Sequence, residues 1–323
     1  MTAWGPYFTQ DLPFMQMAAG FRTDFGTVLP PGGRVVGYVR ASGPADYDDP
    51  SIVNRLFTSV NTALQQCRAG RNDVVIVLPG HTETISAADG WSNLVAGTQI
   101  IGVGTGNSRP QITWSAAASS ILVDQANVRL QNLILNMDPG AGTVTVAAPM
   151  TISAAGCAIN GCKIRMGTDA NSKVTIGITT TAAADDLVMM GNEIYGETAA
   201  ECTTMIQFVG ADRLQFHQNT VEGATSSASV GVIRFLTTAS LRIKMFRNVV
   251  INNKSGGGAG DMAITGMAGI SGVVDFLLMG VLGNSATNLT AAFGTPANVV
   301  FGREVYVVNT IAERAALFGT ESA

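Results

Sequence analysis

LVMMGNEIYG (Leu187–Gly196) is followed 27 residues later by LQFHQNTVEG (Leu214–Gly223). In both decamers the first, third and eighth positions are apolar and the sixth is asparagine. Working outward, the leading apolar pair recurs as Ile101/Val103, Val128/Leu130, Cys157/Ile159, Leu187/Met189, Leu214/Phe216 and Leu241/Ile243, at spacings of 27, 29, 30, 27 and 27 residues. Three consecutive units then place Asn192, Asn219 and Asn248, and an apolar side chain returns two residues after that position: Leu135, Ile164, Ile194, Val221, Val250. Period-2 alternation inside a unit, with units repeating every few tens of residues, predicts a β-solenoid over Ile101–Met279.

Composition agrees. Charged residues make up 13% of the 323, there are 37 glycines, and the net charge is −4. Such a chain does not have the high charge and low hydrophobicity of disorder, and so mild a charge demands no nucleic-acid partner. No apolar run approaches the roughly 20 residues that span a bilayer, and no signal peptide is visible. The expectation is a soluble protein made in a reducing compartment. Four cysteines (Cys67, Cys157, Cys162, Cys202) are no disulfide framework. Cys157 and Cys162 fall on core-facing positions, where a thiol acts as a small hydrophobe. With only His81 and His217 to join them, no metal site and no cofactor are expected.

Residues 1–33 read as an extended arm. Trp4, Tyr7, Phe8, Phe14, Phe21 and Phe25 are too many aromatics for a solvated tail. Two readings stay open: packing on this chain's own solenoid, or docking on a neighbouring subunit or larger assembly. Arg34–Arg40 reads as a strand. Asp49 as N-cap, Pro50 at the first helical position and apolar residues from Ile52 to Cys67 predict a capping α-helix over 50–69. Its task is to cover the apolar end of the solenoid. Asp73–Ile85 reads as the first rung, turning at Pro79-Gly80.

Asp46, Asp48 and Asp49 before an amphipathic helix at Ile52–Cys67, then a strand ending in Leu78-Pro79-Gly80, resemble the start of the pectin-lyase-like right-handed parallel β-helices, including phage tailspikes. The resemblance spans roughly Arg34 to Met279 and is architectural. It implies an all-β, right-handed parallel β-helix; the residues themselves then add one or two strands at Val299–Val308, extending it over 34–308, and a short C-terminal helix in the tail 309–323, where Thr310 to Glu313 reads as a capping box. It also implies an asparagine ladder at Asn192, Asn219 and Asn248. The residues alone suggest why: a tight turn needs a side chain tolerant of left-handed backbone, and stacked amides can bond along the axis. Asn132 sits one position early and Gly161-Cys162 follows, so the ladder should begin only in the middle coils.

Positions flanking a core residue face outward. Rungs stack about 4.8 Å apart, so Lys163 should pair with Glu193 and Arg165 should lie over Tyr195. Toward the C-terminus the outer face turns apolar through Val249, Ile251 and the run Val273–Met279, which includes Phe276 and Leu278. Two readings stay open: a subunit interface, around a threefold axis as in phage β-helix proteins, or a C-terminal segment folding back over this face.

Enzymes of this architecture cleave polysaccharides from an outer groove, and hydrolysis needs two carboxylates roughly 5–10 Å apart. Glu193 and Glu222, on adjacent coils of one face, are the best such pair. Asp185 and Asp212 stand at one turn on adjacent coils, where aspartate is a common turn former. No Ser–His or Cys–His arrangement is visible. Gly102, Gly104 and Gly106 have the wrong spacing for a dinucleotide loop and read as turn glycines. With so few outward acids the chain is expected not to be an enzyme. The first expectation is a structural virion protein of a bacteriophage, a capsid decoration or cement homotrimer. Its aromatic arm would bind the major capsid protein or another virion protein, after synthesis in the host cytoplasm. The alternatives are a tailspike-type depolymerase (glycoside hydrolase or lyase) using Glu193 and Glu222, and a non-catalytic glycan- or receptor-binding virion protein.

Overall fold

The computed structural model describes residues 34–40, 55–139, 144–167, 172–197, 201–226, 230–236, 240–253, 263–266, 270–281, 298–301 and 305–308. The aromatic arm, the acidic residues at 46–49 and the C-terminal helix lie outside them.

Within these residues the chain winds as a parallel β-solenoid of about six turns. The turns contribute short strands to three faces, and in the sixth a single strand, Ile243–Asn252, runs along the first two. On the first face Ile100, Leu130, Ile159, Met189, Phe216 and Met245 stand one above another. On the second stand Ile112, Leu135, Ile164, Ile194, Val221 and Val250. The third runs through Ile121–Val123, Met150–Ile152, Ile176–Thr180, Thr204–Phe208, Ile233–Phe235 and Ile264–Thr265. Every pairing between these strands is parallel and one coil apart, so the inward aliphatics of all three faces merge into one continuous core. Because successive side chains of a strand alternate sides, a strict inward set on each rung is sufficient to build it.

Two of the six anchors shift. Ile100, not Val103, is in register with Leu130. Ile101 and Val103 instead join Val35, Tyr38, Val74, Ile76 and Leu78 in a second buried cluster on the opposite side of the first-face strands. In the last coil Phe216 pairs with Met245, so the anchor is Ile243/Met245, and Leu241 lies exposed at the corner. An apolar residue on each side of a strand makes register ambiguous in sequence, since a slip of one residue exchanges the faces.

The corners explain the coil shape. Asn72, Gly97, Asn127, Gly156, Asp186, Arg213 and Arg242 stand two residues ahead of the stacked first-face positions Val74, Gln99, Arg129, Ala158, Val188, Gln215 and Lys244, and all have φ between 52° and 84°. Gly80, Asn132, Gly161, Gly191, Gln218 and Arg247 do the same before the second face. The left-handed residue is therefore the one before each ladder asparagine, not the asparagine itself. Asn132, one position early in sequence, belongs to this corner column. Non-glycine residues there cost about 1–2 kcal/mol each in backbone strain, which the packed coil above and below must offset.

Asn192, Asn219 and Asn248 turn inward instead and are buried. The Asn248 Oδ1 accepts from the Asn219 N–H at 2.9 Å, and the Asn219 Oδ1 from the Asn192 N–H at 3.0 Å. The Asn192 Oδ1 accepts from the Cys162 N–H at 2.9 Å. Each Nδ2 donates back to the coil below, to Ile159, Met189 and Phe216 carbonyls at 2.8–2.9 Å. Corner peptides that no strand can pair are thus satisfied by side chains, as buried backbone groups require. The same column holds Leu133 and Cys162 in the two earlier coils, which carry no amide.

The glycines of Gly102-Val103-Gly104-Thr105-Gly106 are structural. A Cβ on Gly102 would collide with the Asn132 carbonyl oxygen, and Gly104 and Gly106 have φ of 119° and 54°. The Asn132 Nδ2 donates to the Gly102 and Gly104 carbonyls at 2.9 and 3.0 Å.

At the N-terminal end the helix is shorter than its periodicity suggested. Among described residues of 50–69, Leu56–Phe57 is a strand and only Val60–Leu64 is α-helical, capped by the Ser59 side chain accepting from the Thr62 N–H. The strand Val35–Val39 has a free edge here, and the Tyr38 and Arg40 N–H groups donate to the Arg55 and Phe57 carbonyls at 2.8 and 2.9 Å. An unpaired edge outcompetes another turn of helix. Val60, Ala63 and Leu64 still cover the core.

Candidate functional site on the outer faces

The second face presents two outward columns. One runs Gln111, Ile134, Lys163, Glu193, Thr220, Val249; the other runs Thr113, Asn136, Arg165, Tyr195, Glu222, Ile251. A groove of about 470 Å³ lies along them, lined by Glu193, Tyr195, Gly196, Glu197, Thr220, Glu222 and Asn253 among others. Glu193 and Glu222 are one rung and two residues apart, a Cα separation of roughly 8 Å from strand geometry. Glu193 is exposed. Glu222 is half-buried, its Oε1 accepting from the Asn253 Nδ2 at 2.8 Å.

Arg165 lies against Tyr195 as the spacing predicts: its Nε donates to the phenol oxygen at 2.6 Å and its guanidinium is 5.6 Å from the ring centroid. Lys163 does not pair with Glu193. Although the two residues are Cα partners, the Lys163 ammonium sits 5.3 Å from the Tyr195 ring centroid, and no Lys163–Glu193 ion pair forms among the described residues. An exposed ion pair is worth little, so the π face of Tyr195 competes successfully for the cation. The tyrosine ring therefore already carries two basic groups.

The corner acids are engaged as well. Asp186 takes Arg213 in a two-point bond at 2.5 and 2.6 Å, and Arg213 also reaches Asp212 at 3.2 Å. Arg242, one coil on, bonds Asp212 through both Nε and Nη2. The Asp185 Oδ1 accepts from the Asp212 N–H at 2.9 Å. The Arg213 guanidinium holds the Asp186 carboxyl below its ordinary value, and Arg242 does the same for Asp212. Both arginines are pushed upward in return. This is a ladder of charges that staples three coils at one corner.

All four cysteines are free and buried, and burial raises their thiols, to about 11 for Cys67 and Cys162 and about 12 for Cys202. A thiol that stays protonated is a poor nucleophile. Among the described residues no group of three or more His, Cys, Asp or Glu is placed to hold a metal ion. No described helix is long and apolar enough to cross a membrane.

Among the described residues the exposed large apolar side chains do not include Val249 or Ile251. Ile251 is buried within the single chain and Val249 is half-buried. The Phe276 and Leu278 side chains lie outside the described residues, though the backbone register sets Leu278 beside Val249. Met190 and Val273, at 43% and 37% exposure, instead sit outward on the first face, with Leu241 at its corner. Between them the His217 ring stacks on Phe246 at 5.3 Å and 11°. The sequence signal for this strip was the outward apolar Val188 and Met190. The pairing of His217 with Phe246 was hidden by the two-residue slip in the last anchor.

Burial, and then the nearby Lys244 charge, lower the His217 pKa. A histidine whose folded-state pKa is depressed contributes stability that is complete above the unfolded value, about 6.5, and lost as pH falls through the folded value. The variant Lys244→Gln should therefore move the His217 midpoint upward and reduce the acid-side loss of stability. With two histidines in the chain, an imidazole NMR titration resolves it; an unmoved midpoint would show that Lys244 does not act on His217.

A scan against protein-family models finds no family that matches this chain, and searches of the curated proteins and of the solved structures return no match either.

Proposed function

We propose that this chain is a structural protein of a bacteriophage virion, a capsid decoration or cement protein assembled as a homotrimer. It would be a pectin-lyase-like β-helix of the right hand that parallel crossovers favour. The phage context rests on the sequence resemblance. The observation that carries the structural reading is how the outward polar groups are used. Asp186, Asp212, Arg213 and Arg242 bond one another across coils, Arg165 and Lys163 are held on Tyr195, and Glu222 is bonded to Asn253. Such cross-rung bonding stiffens a rod and leaves few groups to act on a substrate. The aromatic residues Trp4, Tyr7, Phe8, Phe14, Phe21 and Phe25 supply the anchor to the major capsid protein or another virion protein.

Deleting Met1–Pro31 should leave a folded solenoid that no longer binds its particle. A truncated protein that unfolds would place the arm within the chain and remove the anchor. The second reading, a tailspike-type depolymerase, has one observation in its favour: the groove beside Glu193, Tyr195 and Glu222. Incubating the protein with host-surface polysaccharide separates the two. Release of reducing ends or unsaturated uronates, abolished in Glu193→Gln/Glu222→Gln, would replace the structural reading with the enzymatic one. Saccharide binding without release would favour a glycan- or receptor-binding role.

A further inference from the structure

Thr82-Glu83-Thr84-Ile85 alternates like any rung, but its inward side holds a carboxylate. Glu83 is the Cα partner of Ile112, a fully buried core residue, and it shares the inward side with buried Ile85. Three donors converge on it. The Val60 N–H reaches Oε2 at 2.7 Å, the His81 Nε2 reaches the same oxygen at 3.2 Å, and the Trp91 Nε1 reaches Oε1 at 3.4 Å. The His81 side chain is wholly buried, and its Nδ1 has no partner. With Nε2–H assigned as the donor to the carboxylate, Nδ1 is a bare acceptor.

An ionised carboxylate is an acceptor only and suits all three donors. A carboxylic acid must turn one oxygen into O–H, which then faces a donor. Proton uptake at the His81 Nδ1 is no better, because it creates a buried N–H with no acceptor. Among the described residues another buried carboxylate, Asp73, accepts from the Arg68 N–H at 2.9 Å rather than from Val60. The helix Val60–Leu64 and the strands Leu56–Phe57, Val74–Val77 and Gln111–Trp114 carry no ionisable side chain, and Tyr38 of Val35–Val39 sits in the separate outer cluster.

The contact to Val60 matters because of what Val60 begins. Its helix closes the apolar end of the core, and Leu56–Phe57 just before it covers the free edge of Val35–Val39. We infer that Glu83, backed by His81, is a proton-operated latch. Ionised, it clamps residues 55–64 over the end of the solenoid, and uptake of a solvent proton releases them.

Hydrogen exchange on the full chain tests this, with rates corrected for the intrinsic pH dependence. Between about pH 7.5 and about pH 4, protection at Val60, Tyr38 and Arg40 should fall about tenfold or more. Amides of Ile134–Asn136, several coils away, should hold theirs. The variant Glu83→Gln, whose carboxamide turns an NH₂ toward the donors, should be released already at about pH 7.5 and insensitive to acid. Unchanged protection at Val60 would overturn the proposal. So would a loss shared equally by Ile134–Asn136, or a Glu83→Gln protein that keeps the wild-type pH response. Should that variant fail to fold, the wild-type comparison still decides.

Discussion

Replacing Asn219 with alanine should lower unfolding stability by roughly 2–6 kcal/mol, because two buried groups lose their partners at about 1–3 kcal/mol each. These are the Asn192 N–H, which donates to the Asn219 Oδ1, and the Met189 carbonyl, which accepts from its Nδ2. Asn219 is buried and has one buried asparagine on each side. Asn192 at the start of the stack should cost about as much by a different route, since it exposes the Cys162 N–H and the Ile159 carbonyl. Asn219→Asp is the sharper variant. It keeps an acceptor for Asn192 but presents a second oxygen to the Met189 carbonyl, and it buries a charge. Urea denaturation measures the loss; if Asn219→Ala falls within about 0.5 kcal/mol of wild type, as a surface substitution would, the amide stack does not hold the corner.

Phe208→Ala should cost about 3–5 kcal/mol, the usual range for emptying a buried aromatic site. Phe208 is wholly buried on the third face, 5.2 Å from the Phe235 ring on the next coil and 6.2 Å from the Phe216 ring at 78° on the first face. It therefore ties two faces and two coils at one point. The edge-to-face contact adds about 0.5–1.5 kcal/mol beyond the area it buries. In a solenoid each coil touches only its neighbours, so the damage should spread along the axis less than it would in a globular core. Hydrogen exchange should show protection falling first in the strands Gln215–His217 and Ile233–Phe235, with the rungs near Ile100 and Ile112 little changed. A uniform loss across all rungs would mean that the coils unfold as one unit.

Both predictions concern side chains whose inward direction is readable from sequence. Phe216, Met189 and Ile159 recur at a period that only a stacked rung requires, and Asn192 and Asn219 recur with them. Where the reading slipped, two candidate positions were chemically equivalent. Ile100 and Ile101 are both aliphatic, and so are Leu241, Ile243 and Met245. Periodicity cannot choose between the sides of a strand when both are buried, as the outer cluster around Tyr38 and Ile76 shows. Among the described residues the helix expected over 50–69 is shorter for a related reason. Leu56 and Phe57 satisfy a helical stripe, but the unpaired edge of Val35–Val39 claims their backbone.

The outer faces were harder to read. Lys163 opposite Glu193 is a correct neighbour pair, yet the ammonium chose Tyr195, because exposed charges have several partners of similar energy. Asp185 and Asp212 were legible as one turn on successive coils. That Asp186, Arg213 and Arg242 continue it as a ladder was not, because arginine in left-handed backbone has no sequence signature.

The winding of this chain follows from its residue order, since alternation with a fixed repeat admits one way of burying its aliphatic side chains. The partners of its surface charges, the left-handed column one step before the asparagines, and the inward carboxylate of Glu83 against Val60, His81 and Trp91 follow from neighbours one coil or 23 residues away. Burial is a property of each position and is written locally. A polar contact is a property of two positions, and the fold must bring them together before either can be assigned a role.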